Sequence, residues 1–327
     1  MRPEPIGIGR GMFGQVIRLR LTYSQRLPGD PVSLVLKTPA GSAGNRAQAI
    51  AFDMYTREAC FYRELAPTLR LSVPRCYFAR VDPDTGEAIL VLEDLGRLQS
   101  GDQVGGLDAS RARTAVTRLA AAHAQWWDAE ALRRFSWLPS LDSPVMRRLE
   151  RLYGRQWPAF IDAYGAHLPA GSAQLGARVA GCVDEVLVRL SRPPATLVHG
   201  DFRADNLYFA ARRDDDAVVV ADWQVVSRGR AAFDVAYLLC QSMTSDVRRR
   251  HEWALLRSWH ATLVACGVTG YSFGDALADY SVGLLLAVVY AVVGATLDRG
   301  DERGIALARA QAARTFTAAL DSSQPLE

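Results

Sequence analysis

The segment His199-Gly-Asp201-Phe-Arg203-Ala-Asp205-Asn206 holds the residue types that a group transfer to a hydroxyl requires. A carboxylate, Asp201, can accept and orient the hydroxyl proton. An amide five residues on, Asn206, can offer its carbonyl oxygen to a magnesium ion. Arg203, two residues after the acid, is placed to neutralise charge on a transferring phosphoryl group. Asp222 ends the apolar run Val218-Val-Val-Ala-Asp222 and supplies a second carboxylate for the metal. Lys37 is the sole lysine among 38 basic side chains. Arginine is a rigid planar fork and lysine a compact point charge on a flexible stem. A sequence that uses arginine everywhere else has kept lysine at one position, which suits reaching between phosphate oxygens.

Gly9-Arg-Gly11-Met-Phe-Gly14 is a weak motif alone, shared by dinucleotide-binding folds and protein kinases. Here the glycines run straight into an alternating strand (Ile17, Leu19, Leu21, Tyr23) instead of opening a helix. The segment therefore reads as a hairpin lid over phosphates. Lys37 follows on a later strand, with Val35 on the same face, positioned to line an adenine pocket. A helix is expected from about Arg46 to Leu65, with Ile50, Met54, Phe61 and Leu65 as its inward stripe. Glu58 lies on that stripe, and a buried carboxylate needs a partner, for which Lys37 is the candidate. Glu64 lies on the polar side with Asp53, Arg57 and Cys60 and reads as solvated. No G-x-x-x-x-G-K-[ST] occurs, which excludes a P-loop nucleotidase.

Together with Tyr55-x-x-Glu58-x-x-Phe-Tyr62, Val91-Leu-Glu-Asp-Leu95, Leu119-x-x-x-His123-Ala124, Asp222-Trp-Gln224 and Gly229-x-x-x-x-Asp234, these motifs resemble the aminoglycoside phosphotransferase/choline kinase-like superfamily. The resemblance is nearest to its ecdysteroid kinase-like branch and covers almost the whole chain. It implies a two-lobed α+β protein-kinase-like fold, with a small β-rich N-lobe at residues 1–95 and a larger helical C-lobe at 96–327. It implies Asp201 as catalytic base, Asn206 and Asp222 as magnesium ligands, and Lys37 with Glu58 setting the ATP phosphates. Backbone groups of Glu93 and Leu95 would hold adenine, and Asp234 would cap the helix after the metal segment and steady the catalytic loop. Gly200 stands where protein kinases have arginine, Trp223-Gln224 replaces Phe-Gly, and no A-P-E segment follows. These departures point to a small hydroxylated acceptor rather than a protein.

The surrounding elements fit such a frame. The first ninety-odd residues read as strands with one helix, with a hinge at Glu93-Asp-Leu-Gly96. Helices are expected from the Asp108 cap to about Leu132, then over roughly 144–165, 172–191, 233–243, 246–266 and 275–297. One short β insert interrupts them, at 196–199, 207–209 and 218–221. His123 reads as a hydrogen-bonded core histidine, and the aromatics from Trp253 to Tyr290 mostly as core. The runs Arg248-Arg-Arg250 and Arg212-Arg213 read as solvated faces.

Net charge is +3, so no polyanion footprint is expected and nucleic acid is excluded as a partner. Five scattered cysteines lack metal or disulfide spacing and suit a reducing cytoplasm. The start has no apolar signal-like run, and Val282–Leu297 is short for a membrane span. The main expectation is an ATP- and magnesium-dependent small-molecule kinase. A nucleotide-binding pseudokinase and, further off, a protein kinase are the other readings. From residue 241 onward nine acids face eight arginines. The aromatic and aliphatic side chains there favour a less polar, hydroxylated acceptor over a polycation.

Overall fold

The computed structural model describes residues 2–6, 12–82, 84–210, 217–295, 297–298 and 301–322. Gly9 and Gly11 lie outside these residues, as do Arg212 and Arg213. The N-terminal region is an antiparallel sheet of β1 (Arg2–Ile6), β2 (Gly14–Arg20), β3 (Ser33–Pro39), β4 (Cys76–Val81) and β5 (Ala88–Glu93). Their order across the sheet is β1-β2-β3-β5-β4, and Lys37 pairs with Val16 on one side and Leu90 on the other. The central strand thus holds the sole lysine between two neighbours. β1, rich in Pro and Glu, carries no strand signal in sequence and is built by edge pairing to β2.

Between β3 and β4 run α1 (Ala43–Ala51) and α2 (Met54–Cys60), and α2 continues into a π-helical turn at Phe61–Leu65. The single helix expected over 46–65 is broken at Asp53, whose φ of 54° is left-handed. That break turns the second segment about its axis. Ile50, expected inside, is therefore 37% exposed, while Arg57 and Cys60, expected outside, are buried. Glu58, Met54, Phe61 and Leu65 do face inward. Glu64 stays at the surface, where its carboxylate accepts from Trp137 Nε1.

The C-terminal region begins with β6 (Gln99–Ser100) and α3 (Ala109–Gln125). The Asp108 carboxylate caps α3 by accepting from Arg111 N. α3 ends at Trp126, short of the expected Leu132, and Asp128 then turns left-handed at φ 46°. α4 (Arg148–Tyr164) follows, and the expected helix at 172–191 divides at Gly181-Cys182 into α5 (Ser172–Ala180) and α6 (Val183–Ser191). The expected single β insert is two small sheets. β7 (Thr196–Val198) pairs with β10 (Ser227–Gly229), whereas β8 (Leu207–Phe209) pairs with β9 (Val218–Val220) and with β6. The Asp201 loop and the Asp222 loop are thereby held side by side, each between short strands.

Four helices complete the chain: α7 (Ala232–Ser242), α8 (Ser245–Ala265), α9 (Phe273–Gly294) and α10 (Glu302–Asp321). α9 is long and apolar enough to cross a membrane by length and composition, and 67% of its most apolar window is buried inside the fold. It packs against α7 and α10, and Gly283 allows the closest approach: a Cβ there would lie 3.0 Å from that of Ala236. α10 was not expected from sequence. Its apolar positions are mostly alanines, which give a weak periodic signal, yet Leu307, Ala312, Thr315 and Phe316 are buried. Arg248, expected at a solvated face, is buried between Glu252 and Asp321, the last residue of α10.

Candidate active site

Lys37 Nζ lies 2.8 Å from the Glu58 carboxylate and 2.7 Å from Asp222 Oδ1. Strand β3, helix α2 and the loop after β9 therefore meet at one ammonium. Burial disfavours that charge, but the Asp222 and Glu58 carboxylates outweigh it and raise its pKa, so Lys37 stays protonated. Burial pushes the Glu58 carboxyl up, to about 7, against the pull of Lys37. Asp222 is held below the usual carboxylate range: burial opposes this, and Lys37 overcomes it. A Cβ on Gly14 would come within 2.9 Å of Lys37 Cε, so glycine is needed for β2 to cross so near.

These groups form one end of an open cleft of roughly 1170 Å³, its mouth included. Val35, Leu92, Glu93 and Leu95 line the other end, with Ile6 and Val16 above and Asn206 and Asp222 below. The cleft thus joins aliphatic side chains, with Arg18 and Asp94 at their rim, to the charged Lys37–Glu58–Asp222 group.

The Asp201 loop is fixed from behind by Asp234. Its Oδ2 accepts from His199 N at 2.7 Å and its Oδ1 from Gly200 N at 2.9 Å. His123 Nε2 stands 3.2 Å from the same Oδ2, and Trp259 Nε1 donates to His123 Nδ1 at 3.3 Å. Asp234 sits in the first turn of α7 without capping it; its bonds go to the loop. Gly200 has a φ of 81°, and a Cβ there would come within 2.4 Å of the Val225 carbonyl oxygen. No arginine can stand there. His199 Nδ1 accepts from Asp201 N, so Nε2 carries the hydrogen and donates to Ala221 O at 3.1 Å. Burial lowers the His199 pKa and keeps the ring neutral. The ring thus joins the Asp201 loop to the Asp222 loop.

Asp201 Oδ2 accepts from Arg203 Nε and from Asn206 Nδ2, both at 2.9 Å. Arg203 is buried and also donates to Gln103 Oε1 at 2.7 Å. Burial opposes its charge, and Asp201 and Asp205 raise its pKa past that cost. Its guanidinium orients Asp201, and Arg203 also lines the cleft into which Asp201 and Asp222 face. Gln103, which no motif signals, links Arg203, Asp205 and Gln241. Asn206 spends its amide nitrogen on Asp201, which turns its amide oxygen away from that carboxylate. Asn206 and Asp222 make a two-donor oxygen set, which fits a magnesium ion that takes its remaining ligands from phosphates and water.

On the other side of Asp201 and Asp222 lies a second cleft of roughly 830 Å³, mouth included. Its walls are mainly Met12, Phe13, Phe52, Met146, Leu149 and Val293, with Tyr237 and Tyr290 near Asp201. Of the aromatics from Trp253 onward, Tyr290 alone lines it among the described residues; Trp259, Tyr271 and Tyr280 are core and Trp253 is exposed. Among the described residues its only carboxylates are Asp201 and Asp222. Gln224 also lines it, 6% exposed, and its amide oxygen has no hydrogen-bond partner among the described residues. Arg57 is fully buried at its edge, donating to the Val226 and Phe52 carbonyls and to Ser227 Oγ. Burial lowers its pKa to about 10.

A family model described as the ecdysteroid kinase-like family matches residues 9–268. Over 213 residues the chain is 26% identical to a probable acyl-CoA dehydrogenase of Arabidopsis thaliana. That match takes in 62% of this chain and 24% of the plant protein, so the chain spans about a quarter of that relative's length. Among solved structures, a putative aminoglycoside phosphotransferase from Ralstonia eutropha superposes with a TM-score of 0.53 at 15% identity, covering 99% of this chain and 93% of that one. Choline kinase from Cryptosporidium parvum gives 0.56 at 9% identity, covering 98% and 88%. The GDP complex of aminoglycoside 2'-phosphotransferase-IIIa gives 0.52 at 14%, covering 95% and 93%. These likenesses establish the two-lobed kinase-like fold.

Proposed function

The chain belongs to the ecdysteroid kinase-like family, and from that premise we propose that it moves the γ-phosphate of ATP to a hydroxyl group of a small molecule. The observation that carries this is the position of Asp222. It lines the Lys37–Glu58 cleft and the apolar cleft alike, with Asp201 beside it in the second. A nucleotide in the first and a hydroxyl in the second would meet at that shared wall. In this reading residues 1–95 form the ATP-binding lobe and 96–327 carry the catalytic loop and metal site, and both clefts draw walls from the two regions.

In this reading Asp201 accepts the acceptor's hydroxyl proton as the oxygen attacks the γ-phosphorus, and the bond to the β-phosphate oxygen breaks to release ADP. Arg203 and Asn206 hold the carboxylate in place for that step. Lys37, set by Glu58, holds the phosphates, and Gly14 brings the lid strand down on it. Val35, Glu93 and Leu95 take the adenine. Asn206 and Asp222 would hold magnesium, which when bound neutralises charge on the phosphates. Asp234, through His199 N and Gly200 N, sets the loop's height.

The acceptor reading rests on two features of the second cleft. Its walls are mainly apolar and, among the described residues, hold no acid beyond Asp201 and Asp222, which suits a hydroxylated molecule with an apolar body better than a polycation. Within it, the unpartnered oxygen of Gln224 is a buried acceptor costing about 1–3 kcal/mol until a donor reaches it. A second O–H or N–H on the substrate would do so. Five free cysteines among the described residues suit a reducing cytoplasm.

The test is magnesium-dependent ADP release across hydroxylated compounds, with Asp201→Asn as control. The expected result is transfer that falls roughly thousandfold in the variant while ATP affinity stays within a few-fold. Turnover that survives Asp201→Asn would overturn the assignment.

A further inference from the structure

We propose that the acceptor carries an anionic group, held by Arg148, Arg151 and Arg155 of α4 at the outer end of the apolar cleft. The inference rests on that cleft being the acceptor site. The three arginines follow i, i+3, i+7 spacing and so share one face of the helix. With Gln48, Phe52 and Leu152 they line a hollow, and Gln48 and Phe52 also line the apolar cleft. The two spaces therefore adjoin.

Rows of exposed arginine are commonly no more than solvated helix faces. Three observations separate this one. Among the described residues no Asp or Glu lines the hollow and none of the three arginines has a carboxylate partner; Arg148 Nη1 donates to the Ala51 carbonyl. Arg147, one position earlier but facing away, is paired with Asp184. The surface is concave: Gly154 contributes no side chain to it, and a Cβ there would meet nothing within 4 Å. The cleft beyond carries charge of the same sign. Arg57 is buried at its edge with carbonyls and a hydroxyl as oxygen partners, whereas Asp201 and Asp222 already face Arg203 and Lys37.

Phe52 and Leu149 lie along the way, so the fitting molecule has a hydroxyl at one end, an apolar body, and a carboxylate or similar oxyanion at the other. Guanidinium forks bind such oxyanions in bidentate fashion. A polycationic acceptor would meet four arginines and no spare acid.

The experiment measures binding by calorimetry with magnesium and a non-hydrolysable ATP analogue present. The probes are ω-hydroxyalkanoates of graded length, their methyl esters, and ω-amino alcohols. At the best-fitting length the acid should bind about tenfold tighter than its ester, and the amino alcohol weakest. Arg151→Glu/Arg155→Glu should erase that preference and Arg151→Lys/Arg155→Lys should keep most of it, with affinity for the ATP analogue unchanged in both. Equal binding of acid and ester at every length, or a preference that survives charge reversal, would overturn the proposal. Selective binding of the acid, with no phosphate transfer to it when ATP replaces the analogue, would uphold the anion site and defeat the phosphotransferase reading. Transfer to hydroxyl acceptors with no preference for the acid would do the reverse.

Discussion

One ammonium serving two carboxylates is a demanding arrangement, and it explains why the position is lysine. Its three N–H donors can turn to Glu58, Asp222 and a phosphate oxygen from a single point. An arginine fork would need to bind one carboxylate side-on and would push the other away. Lys37→Arg should therefore lower transfer roughly hundredfold while the thermal midpoint stays near wild type, read by ADP release and calorimetry on the same sample. Glu58 adds a pH dependence. Its pKa lies above the usual carboxylate value, so the folded protein holds a proton that the unfolded chain has lost between the two. Stability contributed there falls as pH rises toward about 7. The ion pair with Lys37 forms over the same interval, so nucleotide affinity should rise with pH up to about 7. Glu58→Gln should flatten both slopes in titrations of nucleotide binding and of Tm.

At the scale of elements, the two functional loops are joined by packing as well as by the His199 bridge. Trp223 follows Asp222 and stacks on Phe61 of the π-helical turn, with centroids 4.1 Å apart and planes 7° apart; His199 lies against it at 4.5 Å. The segment bearing Glu58 thus leans on the segment bearing Asp222. That these loops come together was legible from spacing because Asp201, Asn206 and Asp222 lie on short β connections of fixed length. The supporting parts were not. Arg57 and Gln103 act through burial, and a left-handed residue at Asp53 and a π turn shift the helical register that periodicity assumes. Gly200 was visible only as a departure, and the structure supplies its reason. Gly200→Ala combines a positive φ with a backbone clash against Val225 O, and should cost about 3 kcal/mol or more. Denaturant unfolding should show a lowered midpoint, whereas Ala at Gly154, open and inside α4, should leave it unchanged or slightly raised.

For the whole molecule, the closing helix matters more than its weak sequence signal suggests. The family match ends at residue 268, yet α10 returns to the catalytic loop. Arg303 meets both oxygens of Asp205, at 2.8 and 3.0 Å, and Arg314 donates to the Gln103 and Val104 carbonyls. Asp205 in turn accepts from Gln103 N and pairs with Arg203, the residue that orients Asp201. The first turn of α10 is thereby linked through three successive ion pairs, Arg303–Asp205, Asp205–Arg203 and Arg203–Asp201, to the carboxylate assigned to proton transfer. Such a link acts on geometry rather than on affinity. Arg303→Met retains the side-chain stem but removes the charge, so Asp205 keeps Arg203 and the loop gains freedom. The turnover number should fall about tenfold with the KM for ATP little changed and Tm lowered by a few degrees. A variant that loses ATP affinity in the same proportion would show that α10 supports the nucleotide cleft instead. Unchanged turnover would show that Arg203 alone fixes Asp201.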